Sequence, residues 1–394
     1  MSMFSTTFKK QYLFEQPTNG SAAATGVPSD RWLLVSVVGL MMAGLLAVYS
    51  SIAYFAETHN TTAGTLVGNH AIKLVISLLV MVIVSKFDYR LIAKLSRYAL
   101  LLSWLFLIIV SIYGTEVFGA RRSLSLGGFS FQPSSLATVS LLVYVSWLVS
   151  QKQEYIRSFS RAFLPTMVWV LVTCALIGLE DFSSAALLLV MCLMIMFVGR
   201  VSVLHIGTLL VAGVIGAGAL LSMSAERQSR VTNYVDQVLH IESTEFQLTS
   251  GYQAQQAHIA VAQGGLLGVG IGKSTQRDFL PAPYNDFIYA IITEEYGLLG
   301  AGVVMLLYVV ILFRGIAVIA KRARDTLGML MAVGCTLGVT MFAFVNAGVA
   351  TGLLPVTGLP MPFISYGGTS MLFSGVLIGI LLSISKTREV SHGG

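Results

Sequence analysis

This chain of 394 residues is poorest in charge: Asp, Glu, Lys and Arg make up 11% of it, against 55% hydrophobic residues. A soluble domain carries about a quarter charged residues, so that class is excluded and a polytopic membrane protein is expected. Cysteine is scarce too. Cys174, Cys192 and Cys335 lie inside apolar runs with no CxxC spacing and no His cluster nearby. That pattern argues against a disulfide framework or zinc site and reads them as small packing residues. Before Trp32 there is only polar sequence with Lys9 and Lys10, so no cleavable signal peptide is expected and residues 1–30 read as a cytoplasmic tail. The net charge is +6, but the cations are scattered over the connections and form no basic stripe. A nucleic-acid partner is therefore not expected.

What the chain does have is long apolar runs. A helix needs about 20 mostly apolar residues to cross a bilayer. Runs at 32–54, 71–86, 98–114, 133–149, 163–179, 183–199, 203–224, 287–313, 328–352 and 369–385 approach that length. The fold class is all-α: ten transmembrane helices with both termini cytoplasmic, forming one membrane domain over 31–386 with a short tail at 387–394. Of the 24 Lys and Arg, only Lys73, Arg121, Arg122, Arg227, Arg230, Lys273 and Arg277 fall on the side opposite the termini. The positive-inside rule makes that side the outer one. A large structured extracytoplasmic loop, 225–286, then joins helices 7 and 8.

The polar features gather on the outer side. "YQAQQAHIAVAQ", 252–263, fits a helix, either lying on the leaflet or forming one wall of a groove. "GGLLGVGIGKST", 264–275, fails as a phosphate loop because Leu267 stands where the pattern needs Gly. Its glycines could still bring backbone N–H groups to an anion beside Lys273, or form a plain turn. Arg121 and Arg122 could anchor to lipid headgroups or bind a phosphate. "TGLLPVTGLPMPFISYGGTS", 351–370, is either a tight turn or a re-entrant piece shaping a site. In "FLPAPYNDFIYAIITEEYGLLG", 279–300, Asp286 stands at the water–lipid boundary. Glu294 and Glu295 lie about 12–14 Å deeper along a helix, where ionisable groups have partners or a function.

The stretches "GYQAQQAHIAVAQGGLLGVGIGKSTQRDFLPAPYNDFIYAIITEEYGLLG" and "NAGVATGLLPVTGLPMPFISYGGTS" resemble the SEDS proteins (shape, elongation, division and sporulation). These are the peptidoglycan polymerases typified by FtsW and RodA. "AVYSS" and "GARRSLSLGGFSFQPSSLA" are weaker echoes, and the likeness runs over about 32–388. "STQRDFLPAPYNDFIYAIITEEYG" and "IRSFSRAFLP" are more like FtsW, of the Bacteroidetes–Chlorobi kind, than like RodA.

The resemblance implies a glycosyltransferase joining lipid II into glycan strands, with release of undecaprenyl pyrophosphate, at the outer face of the bacterial inner membrane during septal synthesis. It makes Asp286 the general base. Arg121, Arg122, Gln132, Lys273, Gln253, Ser365 and Tyr366 become candidates for binding the pyrophosphate or sugar. Glu294, Glu295, Asp181, Asn346, Pro355, Pro360, Pro362, Gly367 and Gly368 take structural or tuning roles. No cofactor is tightly bound; a divalent cation (Mg or Mn) is admitted, with ligands unknown. The implied partners are a class B penicillin-binding protein transpeptidase and other divisome membrane proteins. The chain departs from the family at Ser135 and Thr138, where the pattern QPSE-x-x-K has Glu and Lys, and at Ser123, where Trp is usual. Glu180–Asp181–Phe182–Ser183–Ser184–Ala185 stands for "PDFGTA". A lipid II flippase and a divisome scaffold that has lost catalysis are the rival readings.

Overall fold

The computed structural model describes residues 30–52, 62–117, 120–126, 129–222, 250–280 and 283–386, with isolated positions at 228, 232 and 235. The expected tails, apart from Asp30, and Arg227 and Arg230 lie outside the described residues. Eleven α-helices are present among the described residues: α1 (Arg31–Ser51), α2 (Ala63–Val84), α3 (Tyr89–Tyr113), α4 (Pro133–Gln151), α5 (Leu164–Gly178), α6 (Phe182–Val198), α7 (Val203–Ser222), α8 (Ser250–Gly264), α9 (Ile288–Phe313), α10 (Thr326–Ala350) and α11 (Gly368–Lys386). Wide π-type turns, Phe159–Phe163 and Arg314–Ala320, lead into α5 and extend α9.

Each of the ten apolar runs falls on a helix. Eight of these, the α5 and α9 spans taken with their π turns, are long and apolar enough to cross a membrane. α6 is apolar but has 17 residues. The chain is a multi-pass membrane protein. α2 and α3 begin well before the apolar runs they contain, because their first turns are polar.

The all-α expectation needs one amendment. Within 115–131, three strands form a small antiparallel sheet in the order β1 (Thr115–Val117), β2 (Ala120–Leu126), β3 (Phe129–Phe131). Glu116 pairs with Arg121 and Leu124 with Phe131. Phe131 packs edge-on against Phe106 of α3, 5.6 Å between centroids, so the sheet sits on the bundle.

Helix starts are set by aspartates whose side chains accept a first-turn N–H that has no helical partner. Asp30 caps α1, Asp88 α3, Asp181 α6 and Asp325 α10. Asp181 also accepts from the Ser184 hydroxyl at 2.7 Å, which gives this candidate a capping role. α4, α10 and α11 are buried over most of their length, whereas α2 and α3 turn most of theirs outward. At one end of the bundle Arg314 pairs with the buried Asp30, Arg90 with Asp325 at 2.9 Å, and Lys386 donates to Ser85 O at 3.0 Å. The starts of α4, α9 and α11 and the end of α10 lie at the other end, which is where most of the candidate site residues are.

Candidate functional site

Asp286 sits half-buried on the turn 283–287, immediately before α9. The turn is held from two sides. Asn346, buried near the end of α10, donates its amide to Asp286 O at 2.9 Å and to Leu359 O at 2.8 Å. Ser365 donates its hydroxyl to Asn285 O at 2.7 Å while accepting from Met361 N. Tyr366 N donates to Tyr284 O at 2.9 Å. The proline-rich segment 353–367 is thus laced onto the turn, and a Cβ built at Gly358 would stand 3.6 Å from Asp286 Oδ2. Leu359, Met361, Phe363, Ile364 and Ser365 are buried. Pro362 is buried and its carbonyl accepts from the fully buried Tyr308 hydroxyl. Pro355 and Pro360 are half-buried, as are Gly367 and Gly368 where α11 begins. Non-helical backbone at this depth is tolerated because protein covers it.

Glu294 and Glu295 have partners, and those partners are in the preceding connection. Glu294, fully buried, accepts from the Ser274 hydroxyl, Thr275 N at 2.9 Å, the Thr275 hydroxyl at 3.1 Å and Gln276 N at 3.3 Å. Glu295 accepts from the Ser50 hydroxyl of α1.

Two residues on, α9 is broken: Gly297 has φ 69° and ψ −174°. Segment 265–270 inserts there and pairs with the interrupted backbone. Val269 N donates to Glu294 O at 2.9 Å, Gly270 N to Glu295 O at 3.1 Å, Leu298 N to Gly265 O at 2.9 Å and Leu299 N to Leu266 O at 3.2 Å. A Cβ at Gly268 would meet Glu295 O at 2.2 Å. Close approach of two backbones is what Gly268 is there for, and Lys273 beyond it is exposed. α8 packs along α9 with Ala257 and Ala260 buried, so it stands as a wall against the bundle, with Gln253 half-buried on it.

Arg121 and Arg122 lie on β2, and their side chains fall outside the described residues. Gln132 opens α4, and its N–H donates to the Thr369 hydroxyl at 3.2 Å, which donates in turn to Ser130 O. Thr138 is buried and bonds back to Ser134 O. A cation that sequence reasoning assigned only to topology arrives from α2: Lys73 Nζ stands 4.0 Å over the Tyr366 ring. His70, one turn earlier, stacks on the same ring at 5.6 Å. Tyr284 meets Tyr366 edge-on at 5.8 Å. Burial pushes the Tyr284 phenol above its ordinary range, with the Tyr366 and Asp286 charges adding to the effect, and burial does the same to Tyr366. Both phenols therefore remain hydrogen-bond donors at neutral pH. A Lys inside an apolar run, with a His at the edge of that run three residues earlier, was the available signal.

Among the described residues, no group of three or more His, Cys, Asp or Glu side chains could hold a metal ion. Asp286 could give a divalent cation only part of its shell, the rest coming from substrate phosphates and water.

Residues 31–390 match the cell cycle protein family that groups FtsW, RodA and SpoVE. Stage V sporulation protein E of Bacillus subtilis (strain 168) is 32% identical over 361 residues, covering 91% of this chain and 97% of that protein. A probable peptidoglycan glycosyltransferase FtsW of Coxiella burnetii is 32% identical over 368 residues, with the same two coverages. In fold, the chain is similar to one from a peptidoglycan synthase complex described as coordinating polymerization and crosslinking. There the TM-score is 0.73 at 22% identity, over 93% of this chain and 100% of that one. The rod shape determining protein RodA of Thermus thermophilus superposes with a TM-score of 0.66 at 22% identity, over 92% and 98%.

Proposed function

The chain belongs to the FtsW/RodA/SpoVE family of cell cycle proteins, and from that premise we propose that it is a peptidoglycan glycosyltransferase. It joins lipid II units at the outer face of the bacterial cytoplasmic membrane during septal synthesis, through a ten-span domain with both termini inside. In the reaction the acceptor sugar's 4-hydroxyl attacks the donor's anomeric carbon as Asp286 takes its proton. The bond from that carbon to the pyrophosphate oxygen breaks, and undecaprenyl pyrophosphate leaves with the electron pair. A carboxylate positioned for such a transfer contributes about 10²–10⁴ in rate. The observation that carries the reading is the way Asp286 is held. Asn346 fixes its backbone and the segment 353–367 packs beside it, so the carboxylate is half-buried at the boundary where a lipid-borne sugar would meet it. A divalent cation at the leaving phosphates is compatible with this arrangement, and Arg121, Arg122 and Lys273 remain candidates for the same charge.

A class B penicillin-binding protein is the expected partner, in line with the synthase complex whose chain this one resembles. The flippase reading asks for polar carriers inside the bundle. Glu294 is bonded to the connection 274–276 and Glu295 to α1, which favours chemistry on one side.

The test is purified protein with its transpeptidase partner and labelled lipid II. Wild type is expected to make glycan strands and Asp286→Asn to lose about a hundredfold or more of that rate. A variant that polymerises at the wild-type rate removes Asp286 as the base. If lipid translocation in liposomes needs Glu294 but not Asp286, the transporter reading takes over.

A further inference from the structure

On the α2 face toward α11, His70 is fully buried, and Leu74, Ser77 and Met81 continue the buried stripe at helical spacing. Ser77 donates to Met371 O at 2.7 Å, which fixes α2 against α11. Among the described residues neither ring nitrogen of His70 has a hydrogen-bond partner. Lys73 is half-buried beside it, over the Tyr366 ring, and makes no ion pair with a described carboxylate. An ammonium group at this depth normally pairs with an anion or faces a wet cavity. Here a cation with no described carboxylate partner and an imidazole with no described hydrogen-bond partner converge on one tyrosine. That tyrosine's own N–H is bonded to the turn carrying Asp286.

We propose that Lys73, with His70 and Tyr366, binds the pyrophosphate of a lipid-linked sugar, an assignment that rests on the glycosyltransferase reading for the identity of the ligand. The chemistry suits a diphosphate: an ammonium with three donors, an imidazole N–H and a phenol O–H. The anion comes attached to a lipid because the opposite face of α2 is apolar and open, with Ile72, Val75 and Leu79 more than half exposed. A polyprenyl chain can lie along that face while its headgroup turns in past Lys73.

The experiment measures binding to the full chain in nanodiscs, with undecaprenyl pyrophosphate, undecaprenol and phosphatidylglycerol as probes. Wild type is expected to prefer the pyrophosphate over the alcohol. Lys73→Met should lower pyrophosphate affinity about ten- to hundredfold, the range for a lost charge-assisted hydrogen bond, and leave undecaprenol binding unchanged. Lys73→Arg should keep most of the affinity. His70→Phe preserves the stack on Tyr366, so it reports on the N–H even where Lys73→Met fails to fold, and it should weaken the pyrophosphate alone. Pyrophosphate affinity equal to wild type in folded Lys73→Met and in His70→Phe overturns the assignment. Displacement of undecaprenyl pyrophosphate by equimolar phosphatidylglycerol also overturns it, since the site then belongs to bulk lipid. Selective binding by a wild-type protein that makes no glycan would refute the polymerase reading and leave this site in place.

Discussion

An alanine at Gly297 would put a Cβ 2.4 Å from both Gly268 N and Leu266 O, at a φ of 69° with ψ −174°. That backbone region is nearly closed to residues with a side chain, and occupying it costs about 1–3 kcal/mol. The contacts are to backbone, so segment 265–270 would have to withdraw and give up part of its pairing with α9. Losing two of the four backbone hydrogen bonds, at about 0.5–1.5 kcal/mol each, brings the total to roughly 2–6 kcal/mol. Gly302, five residues on in the same helix, has open space around its missing Cβ, and alanine there should be neutral or stabilising by up to about 1 kcal/mol. Unfolding titrations with SDS in mixed micelles compare the two variants. If Gly297→Ala unfolds where Gly302→Ala does, the break in α9 is not held by the inserted segment.

Two further outcomes follow from the same region. Glu294→Ala leaves the buried Ser274 hydroxyl and Gln276 N without their acceptor. At about 1–3 kcal/mol for each buried unsatisfied group, it should lose roughly 2–6 kcal/mol and speed amide exchange over 272–278; exchange at the wild-type rate would refute the pinning role. His258 on α8 is held below its ordinary pKa of 6.5 by burial, with a hydrogen bond to Val349 opposing the shift. The unfolded chain therefore binds the proton first as pH falls, so the stability this group contributes is complete above 6.5 and declines below it. Thermal unfolding of wild type should drop between pH 7.5 and 5 by more than that of His258→Gln; parallel curves would rule His258 out as the source.

The helices were legible because a bilayer demands long apolar runs, and the run beginning after Asp286 located both the turn and the helix behind it. The sheet within 115–131 was not, since two of its strands have three residues and the seven of the middle one, ARRSLSL, carry too little apolar alternation to separate from a loop. Glu294 and Glu295 announced that they needed partners. Ser274, Thr275 and Ser50 could not be named, because hydroxyl and backbone donors have no sequence pattern tying them to a given acid. The break at Gly297 was hidden for a different reason: a single glycine in an apolar run reads as tolerated helix. The glycines of 264–275 were read either as room for an anion or as a plain turn, and neither reading foresaw that Gly268 makes room for the α9 backbone. Lys73 was counted as one outer charge among seven, and only the folded path of 353–367 puts an aromatic ring under it.

The pairing of 265–270 with the broken helix also bears on how the protein is assembled. The inserted segment precedes α9 in the chain, so it has left the ribosome before the helix it completes. When Ile288–Phe313 enters the bilayer, the carbonyls of Glu294 and Glu295 and the N–H groups of Leu298 and Leu299 have no helical partners until that earlier segment folds back onto them. Closing a loop of about thirty residues carries only a modest entropic cost, so this return is a local event that needs no distant helix. The first half of α9 and the connection ahead of it thus complete each other's backbone hydrogen bonds, as one unit with Asp286 at its tip.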